Sequence, residues 1–316
     1  MALTSADLTA ALSEHERRSV GDRRAEGLTI GERLYSSPHV HRLIPDRGAM
    51  AIAWLVGTVQ WLLSKGLRAE AVEYMSLLLE GTPRSHEARS LGRRHLIESS
   101  AAGLALWRPR MLRGARLDGI SNLEQVERKG AGAILLSMHV GANHLGNSQP
   151  LLRRGLPVHV LGGEEWLFPD RFVGYDGHRA VTLRRLVEEV GGHWIRPRGA
   201  YQLCEALLRR GDLCLIPFDV PGGHETEFLN KWAWVRSGVA RLSIATGAPI
   251  VPVFAGREGD RFFVRLEAPI DPEDHPGLDE LVDHLARVVG SEILRRPAER
   301  ERTPFLGSVW SEPGTR

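Results

Sequence analysis

The stretch that decides the fold is GAILLSMHVGANHLGN, residues 132–147. Its first seven residues, 132–138, form an apolar run broken only by Ser137, of strand length and too short for a core helix. A strand apolar at successive positions buries both faces, which is the habit of central strands in parallel sheets. Four further runs read the same way: PVHVL (157–161), LCLIPF (213–218), PIVPVF (249–254) and FFVRL (262–266). Helix-like segments lie between them at 122–128, 178–190, 200–210, 239–246 and 278–294. Strands alternating with helices predict an α/β fold, a mainly parallel central sheet flanked by helices on both faces.

Upstream of the first run the chain reads as helical throughout. Residues 49–63, AMAIAWLVGTVQWLL, are the most apolar stretch. As a helix they span about 22 Å at ~1.5 Å per residue, short of the ~30 Å hydrocarbon core of a bilayer. That length favours a buried helix, with an interfacial helix holding Trp54 and Trp61 at headgroup level as the alternative. Residues 68–105 read as two amphipathic helices broken at Gly81-Thr82-Pro83, with Ser85 capping the second. The opening MALTSADLTAALSEHERR reads as a short polar helix without the features of a signal peptide, so a cytoplasmic setting is expected. No internal repeat or low-complexity linker divides the chain. The expected organisation is a helical N-terminal extension (1–110) on an α/β core (111–316).

The charge is nearly balanced, 41 basic against 39 acidic residues for a net +2, which argues against nucleic acid as the main partner. All but Lys65, Lys129 and Lys231 of the basic residues are arginine. A GC-rich coding sequence explains that bias, and bidentate phosphate binding is the functional alternative. Cys204 and Cys214 are the only cysteines, so a structural disulfide or a Cys-based metal site is not expected. His178, His193 and His224 show no metal-ligand spacing, and no metal is expected. The glycine patterns of dinucleotide folds and P-loops are absent.

Ligand sites of open α/β sheets lie beyond the carboxyl ends of the strands. That rule singles out His139, which directly follows the 132–138 run. An imidazole there suits general-base work at neutral pH, since its ordinary pKa is near 6.5. Asp219 occupies the matching place after LIPF. An aspartate before Val-Pro-Gly-Gly is also a common turn residue, and the sequence leaves both readings open.

The block GAILLSMHVGANHLGN resembles the active-site block of bacterial lipid A lauroyl/myristoyl acyltransferases and phosphatidylinositol mannoside acyltransferases, members of the lysophospholipid acyltransferase superfamily. The resemblance extends over roughly residues 30–310. RSLGRRHLIESSAAGLALWRP is similar to the family's segment ahead of the sheet, and RLDGISNLEQVERKGAGAILL to its lead-in to the catalytic strand. LIPFDVPGG, FLNKWAWVRSGVARLSIATGAPIVPVFAGRE and the tail ILRRPAERERTPFLGSVW follow in the family's order.

The resemblance implies an acyltransferase in which His139 deprotonates a hydroxyl or amine that attacks an acyl thioester, with acyl-CoA or an acyl carrier protein as donor and no other cofactor. The family places an acid five residues after the histidine, and here that position is His144. A neutral imidazole supports a developing imidazolium less well than a carboxylate does. The charge is then expected from Asp219, or from Glu164 or Glu165, or else the acceptor is an easy nucleophile such as an amine or hydroxylamine. Backbone N–H groups of Gly141 and of Ser237-Gly238 are the expected oxyanion donors, with Asn143 among the substrate-binding residues. Arg171, Arg198 and Arg236 are the candidate clamps for donor phosphates. The acceptor reads as a lipid at the inner face of the cell membrane or a small specialised metabolite, the latter with an aminoacyl-tRNA as a disfavoured donor. A non-catalytic lipid- or acyl-binding protein on the same scaffold is the remaining class.

Overall fold

The computed structural model describes residues 43–128, 130, 132–140, 158–162, 185, 187–189, 191–197, 199–301 and 306–311. Helices α1 (Asp46–Leu63), α2 (Lys65–Leu79), α3 (Ala88–Trp107) and α4 (Pro109–Arg113) come first. Then follow β1 (Arg116–Asp118), α5 (Ile120–Glu127), β2 (Ala133–Ser137), β3 (Val158–Leu161), β4 (Trp194–Ile195), α6 (Ala200–Arg210) and β5 (Leu213–Pro217). The chain continues through β6 (Pro221–Phe228), β7 (Lys231–Val235), α7 (Gly238–Thr246), β8 (Ile250–Glu258), β9 (Arg261–Leu266) and α8 (Leu278–Arg295). Seven strands make one sheet in the order β1-β9-β8-β2-β5-β3-β4, with every neighbouring pair parallel except β8–β9.

Every residue of β2 is buried, and its side chains divide between two cores. Ile134 and Leu136, with Cys214 and Ile216 of β5, pack among apolar residues of α6, α7 and α8. Ala133 and Leu135, with Leu213 and Leu215, pack among residues of α1, α3, α4 and α5. The fold is therefore the expected α/β sandwich, and the unbroken apolar runs are strands covered on both sides. Cys204 and Cys214 lie in the first of these cores as unbridged thiols.

Several elements differ from the sequence reading. The antiparallel hairpin β6–β7 is absent from it, because PGGHETEF holds a proline, two glycines and two exposed glutamates in place of an apolar run. Leu229 and Asn230 turn the hairpin, both at positive φ (55° and 59°), the two-residue geometry that matches strand twist. Leu229 holds that turn with its side chain buried in the core. Ser85 does not cap α3. It opens a 3-10 turn (Ser85–Glu87), and α3 begins at Ala88 without a side-chain cap. Thr82 organises the break instead, its hydroxyl donating to the Leu79 carbonyl at 2.7 Å and accepting from the Arg84 N–H at 3.2 Å. The predicted 178–190 helix lies almost wholly outside the described residues, and the N-terminal polar helix entirely so.

Helix α1 corrects the expectation of a buried helix. Its inward residues are mostly small: Ala49, Ala53 and Gly57, followed by Trp61, one every four positions. A Cβ on Gly57 would stand 2.5 Å from the Ile97 Cα, so this face lies against the backbone of α3. Met50 and Trp61 are the large residues that turn inward, while Trp54, Leu55, Val59, Leu62 and Leu63 are all exposed. Size, rather than hydrophobicity, selects the packed face, because only small side chains let two helix backbones approach so closely. Helix α2 leaves α1 at a bend of 100°, and among the described residues no single helix is long and apolar enough to cross a membrane. Gly57→Ala is expected to lower stability by about 1–3 kcal/mol by forcing α1 from α3. A urea midpoint that falls without a change in the slope is the measurement that checks it.

Candidate active site

Strands β2 and β5 run parallel in a fixed register, Ala133 opposite Leu213 and so on to Ser137 opposite Pro217. The ladder continues one step further, since the Phe218 N–H donates to the Ser137 carbonyl at 3.0 Å. Carrying that register on places His139 opposite Asp219, just past the carboxyl ends of the two strands. The side chains meet there: His139 Nδ1 lies 2.8 Å from Asp219 Oδ1. The His139 backbone N–H also donates to the carboxylate, at 3.2 Å and 3.3 Å from its two oxygens. An ionised carboxylate only accepts, so Nδ1 holds the proton and Nε2 is the basic nitrogen of the neutral ring.

Asp219 is fully buried, and it is not the turn residue that Val-Pro-Gly-Gly suggests. Its second oxygen accepts from Arg300 Nη2 at 2.9 Å, and the Arg300 side chain is itself fully buried. Arg300 Nη1 donates to the Tyr74 hydroxyl at 2.6 Å, and that hydroxyl donates to the Glu301 carbonyl at 2.8 Å. The Glu301 N–H closes the circuit by donating to the His139 carbonyl at 2.8 Å. Burial alone would raise the Asp219 pKa, but the ring and backbone N–H of His139, together with the Arg300 guanidinium, outweigh it and hold the carboxyl well below the usual carboxylate range. Burial would likewise lower the Arg300 pKa, yet Tyr74 and Asp219 keep it above its ordinary value.

Tyr74 and Arg300 are absent from the sequence reading. Arg300 stands in RRPAERER, where the density of charge reads as a solvated tail, and Tyr74 sits on the buried face of α2 among Met75, Leu78 and Leu79. The matching position of Asp219 after its strand run was the one legible signal of the pairing.

The other sequence candidates fall in different places. His144, Gly141, Asn143, Glu164, Glu165, Arg171 and Arg198 lie outside the described residues. Arg236 is tied to the chain that leaves Asp219: its N–H donates to the Val220 carbonyl at 3.3 Å and its Nε to the Pro221 carbonyl at 3.1 Å. Ser237 precedes α7 without capping it, and Gly238 opens that helix with open space where a Cβ would stand. His193 stacks on His159 with ring centroids 5.4 Å apart, and His159 Nε2 is 3.3 Å from Asp212. Those residues mark the amino ends of β3, β4 and β5, the opposite end of the sheet from His139. His224 lies 3.7 Å from Asp279. Among the described residues no group of three or more His, Cys, Asp or Glu side chains is placed to hold a metal ion.

No family model matches the chain, and no curated protein matches it. Among solved structures it is similar to the 1-acyl-sn-glycerophosphate (LPA) acyltransferase PlsC from Thermotoga maritima, with 13% identity and a TM-score of 0.40 over 80% of this chain and 97% of that one.

The buried Asp219–Arg300 pair has a consequence for stability. Asp219→Asn leaves the Arg300 charge buried without its carboxylate and is expected to cost about 3–5 kcal/mol at neutral pH. The folded pKa of Asp219 is depressed, so its contribution is fully present above the ordinary carboxylate value of about 4 and is lost as pH falls toward the folded value. Denaturation measured across the acid range is expected to show that slope in the parent and a shallower one in Asp219→Asn.

Proposed function

We propose that the chain transfers an acyl group from a thioester donor, acyl-CoA or an acyl carrier protein, to a hydroxyl or amine acceptor, with His139 as general base. The observation that carries this reading is the 2.8 Å contact of His139 Nδ1 with buried Asp219 at the carboxyl ends of two central strands. A histidine oriented through Nδ1 by a carboxylate presents Nε2 to an incoming acceptor. Nε2 takes the proton as the acceptor oxygen or nitrogen bonds to the thioester carbonyl carbon. The tetrahedral adduct then collapses, the C–S bond breaks, and the imidazolium returns its proton to the departing thiolate. Asp219 supports the transient imidazolium, the part that the resemblance alone would have given to an acid at position 144. The Ser237-Gly238 backbone and Gly141 are the proposed oxyanion donors. His139→Ala is expected to lower the rate of thiol release from acyl-CoA in the presence of acceptor by about 10²–10⁴-fold, with the native circular dichroism spectrum retained. Thiol release at the parent rate in that variant would remove His139 from the mechanism.

The acceptor on this reading is a lipid met at a membrane surface, with α1 as the docking element. Between Arg47 and Lys65 the sequence contains no charged residue, and the outward face of the helix is Trp54, Leu55, Val59, Leu62 and Leu63. Lys65 and Arg68 at its carboxyl end supply a basic flank that suits an anionic lipid surface, while Arg47 at the other end is paired with Asp260 at 3.1 Å. Each leucine buried in the interface contributes about 1.5–3 kcal/mol, roughly tenfold or more in affinity. Leu55→Asp with Leu62→Asp is therefore expected to lower co-sedimentation with phosphatidylglycerol-containing vesicles by more than tenfold. Undiminished binding would exclude this face.

A further inference from the structure

We infer that Arg300 is a positioning residue that allows Asp219 to stay ionised while His139 stays neutral, and so keeps the imidazole available as a base. This rests on the role proposed for His139. Asp219 and Arg300 are both fully buried, and each oxygen of the carboxylate has a different side-chain partner: His139 Nδ1 on Oδ1 and Arg300 Nη2 on Oδ2. A buried carboxylate requires a counter-charge or it becomes protonated. In this cluster two groups can supply one, the guanidinium and the imidazole. Arginine is charged at every accessible pH, so the pair Asp219–Arg300 is neutral as a unit and asks no proton of His139. Without the guanidinium the counter-charge falls to His139, whose protonation occupies the nitrogen that must accept the acceptor's proton.

The surroundings support this assignment. The titratable groups that face the cluster among the described residues are Tyr74 of α2, His95 of α3, Asp219 after β5, and Arg300 and Glu301 of the tail. His95 packs on the Tyr74 ring with centroids 5.3 Å apart and has its Nδ1 3.1 Å from the Ala298 carbonyl. Tyr74 holds Arg300 from behind through its hydroxyl, and burial pushes the Tyr74 phenol above its ordinary pKa, so it remains a neutral partner. Arg300 is the one permanent cation among these groups. Val140 and Arg300 face each other in an isolated antiparallel bridge, and the bond from the Glu301 N–H to the His139 carbonyl keeps the backbone at position 300 beside the strand end whatever side chain it carries.

The test follows the imidazole titration of His139 by NMR, with its signal assigned through His139→Ala. It requires no substrate, so it stands or falls separately from acyl transfer. Arg300→Gln removes the charge and keeps hydrogen-bonding capacity, and it is expected to raise the pH at which His139 titrates by about one unit. Asp219→Asn leaves the cation alone beside the ring and is expected to lower it. Arg300→Lys retains the charge and is expected to hold the parent titration. Opposite displacements in the first two variants are what a charge-balancing role requires. A titration unmoved in Arg300→Gln, or displaced in the same direction by both, overturns the inference. Should Arg300→Gln fail to fold, Arg300→Met decides, an uncharged chain suited to the buried site, and a titration there that does not rise overturns it. If thiol release is also measured, the acidic limb of the Arg300→Gln pH–rate profile is expected to move upward by the same amount, with activity recovered on the alkaline side.

Discussion

The parallel register between β2 and β5 is the constraint on which the site depends. Two strands of equal length start level, Ala133 opposite Leu213, and end level, so the residues that follow them arrive side by side. A slip of one residue would turn Asp219 toward the wrong face of the sheet. Burial of both faces makes the apolar pattern a weak guard against such a slip, because either face accepts leucine and isoleucine. The ends do the guarding. At the amino end Gly132 lies so close to the neighbouring turn that a Cβ would stand 2.4 Å from the Leu208 carbonyl and 2.6 Å from that of Asp212. At the carboxyl end the Asp219 carboxylate accepts from both the backbone and the ring of His139.

A carboxylate and a guanidinium removed from water together cost several kcal/mol each, and their attraction offsets this only when the remaining polar atoms are also engaged. The segment 297–301 shows how that is arranged. His95 of α3 contacts the Ala298 carbonyl, the Arg257 N–H of β8 donates to the Glu299 carboxylate at 3.1 Å, Tyr74 of α2 donates to the Glu301 carbonyl, and Glu301 donates to His139. Four elements thus grip five residues. What resembles a charged tail in the sequence is a buried strap across the carboxyl end of the sheet.

Those particulars explain what was legible in the sequence. The strands β2 and β5 were, because fully apolar runs of strand length have few other uses, and His139 and Asp219 were because each follows its run directly. Arg300 was not, since charge in a sequence reads as exposure and its partners lie 226 and 81 positions away. The orientation of α1 was hidden for a different reason: apolar periodicity registers hydrophobicity on every side of that helix, while the packed face is chosen by side-chain size. The β6–β7 hairpin was hidden because its strands are polar and its turn uses Leu229-Asn230 in place of Asn-Gly.

The same hydrogen bonds connect the site to the helices that precede the sheet. Ser64 alone separates α2 from α1, its side chain fixing the entry by accepting from the Leu67 N–H at 3.3 Å, and α2 delivers Tyr74 into the Arg300 contact. Arg68 adds a second tie by donating to the Trp61 carbonyl at 3.0 Å, across the bend. The outward apolar face of α1 and the His139–Asp219 pair are therefore joined through a short run of hydrogen bonds, exposed at Ser64 and buried from Tyr74 through Arg300 to Asp219. On the proposed reading, a lipid surface that seats α1 also sets the height of His139 above that surface. The helix pair then serves as a spacer, and the acceptors within reach are those whose hydroxyl or amine lies at that height.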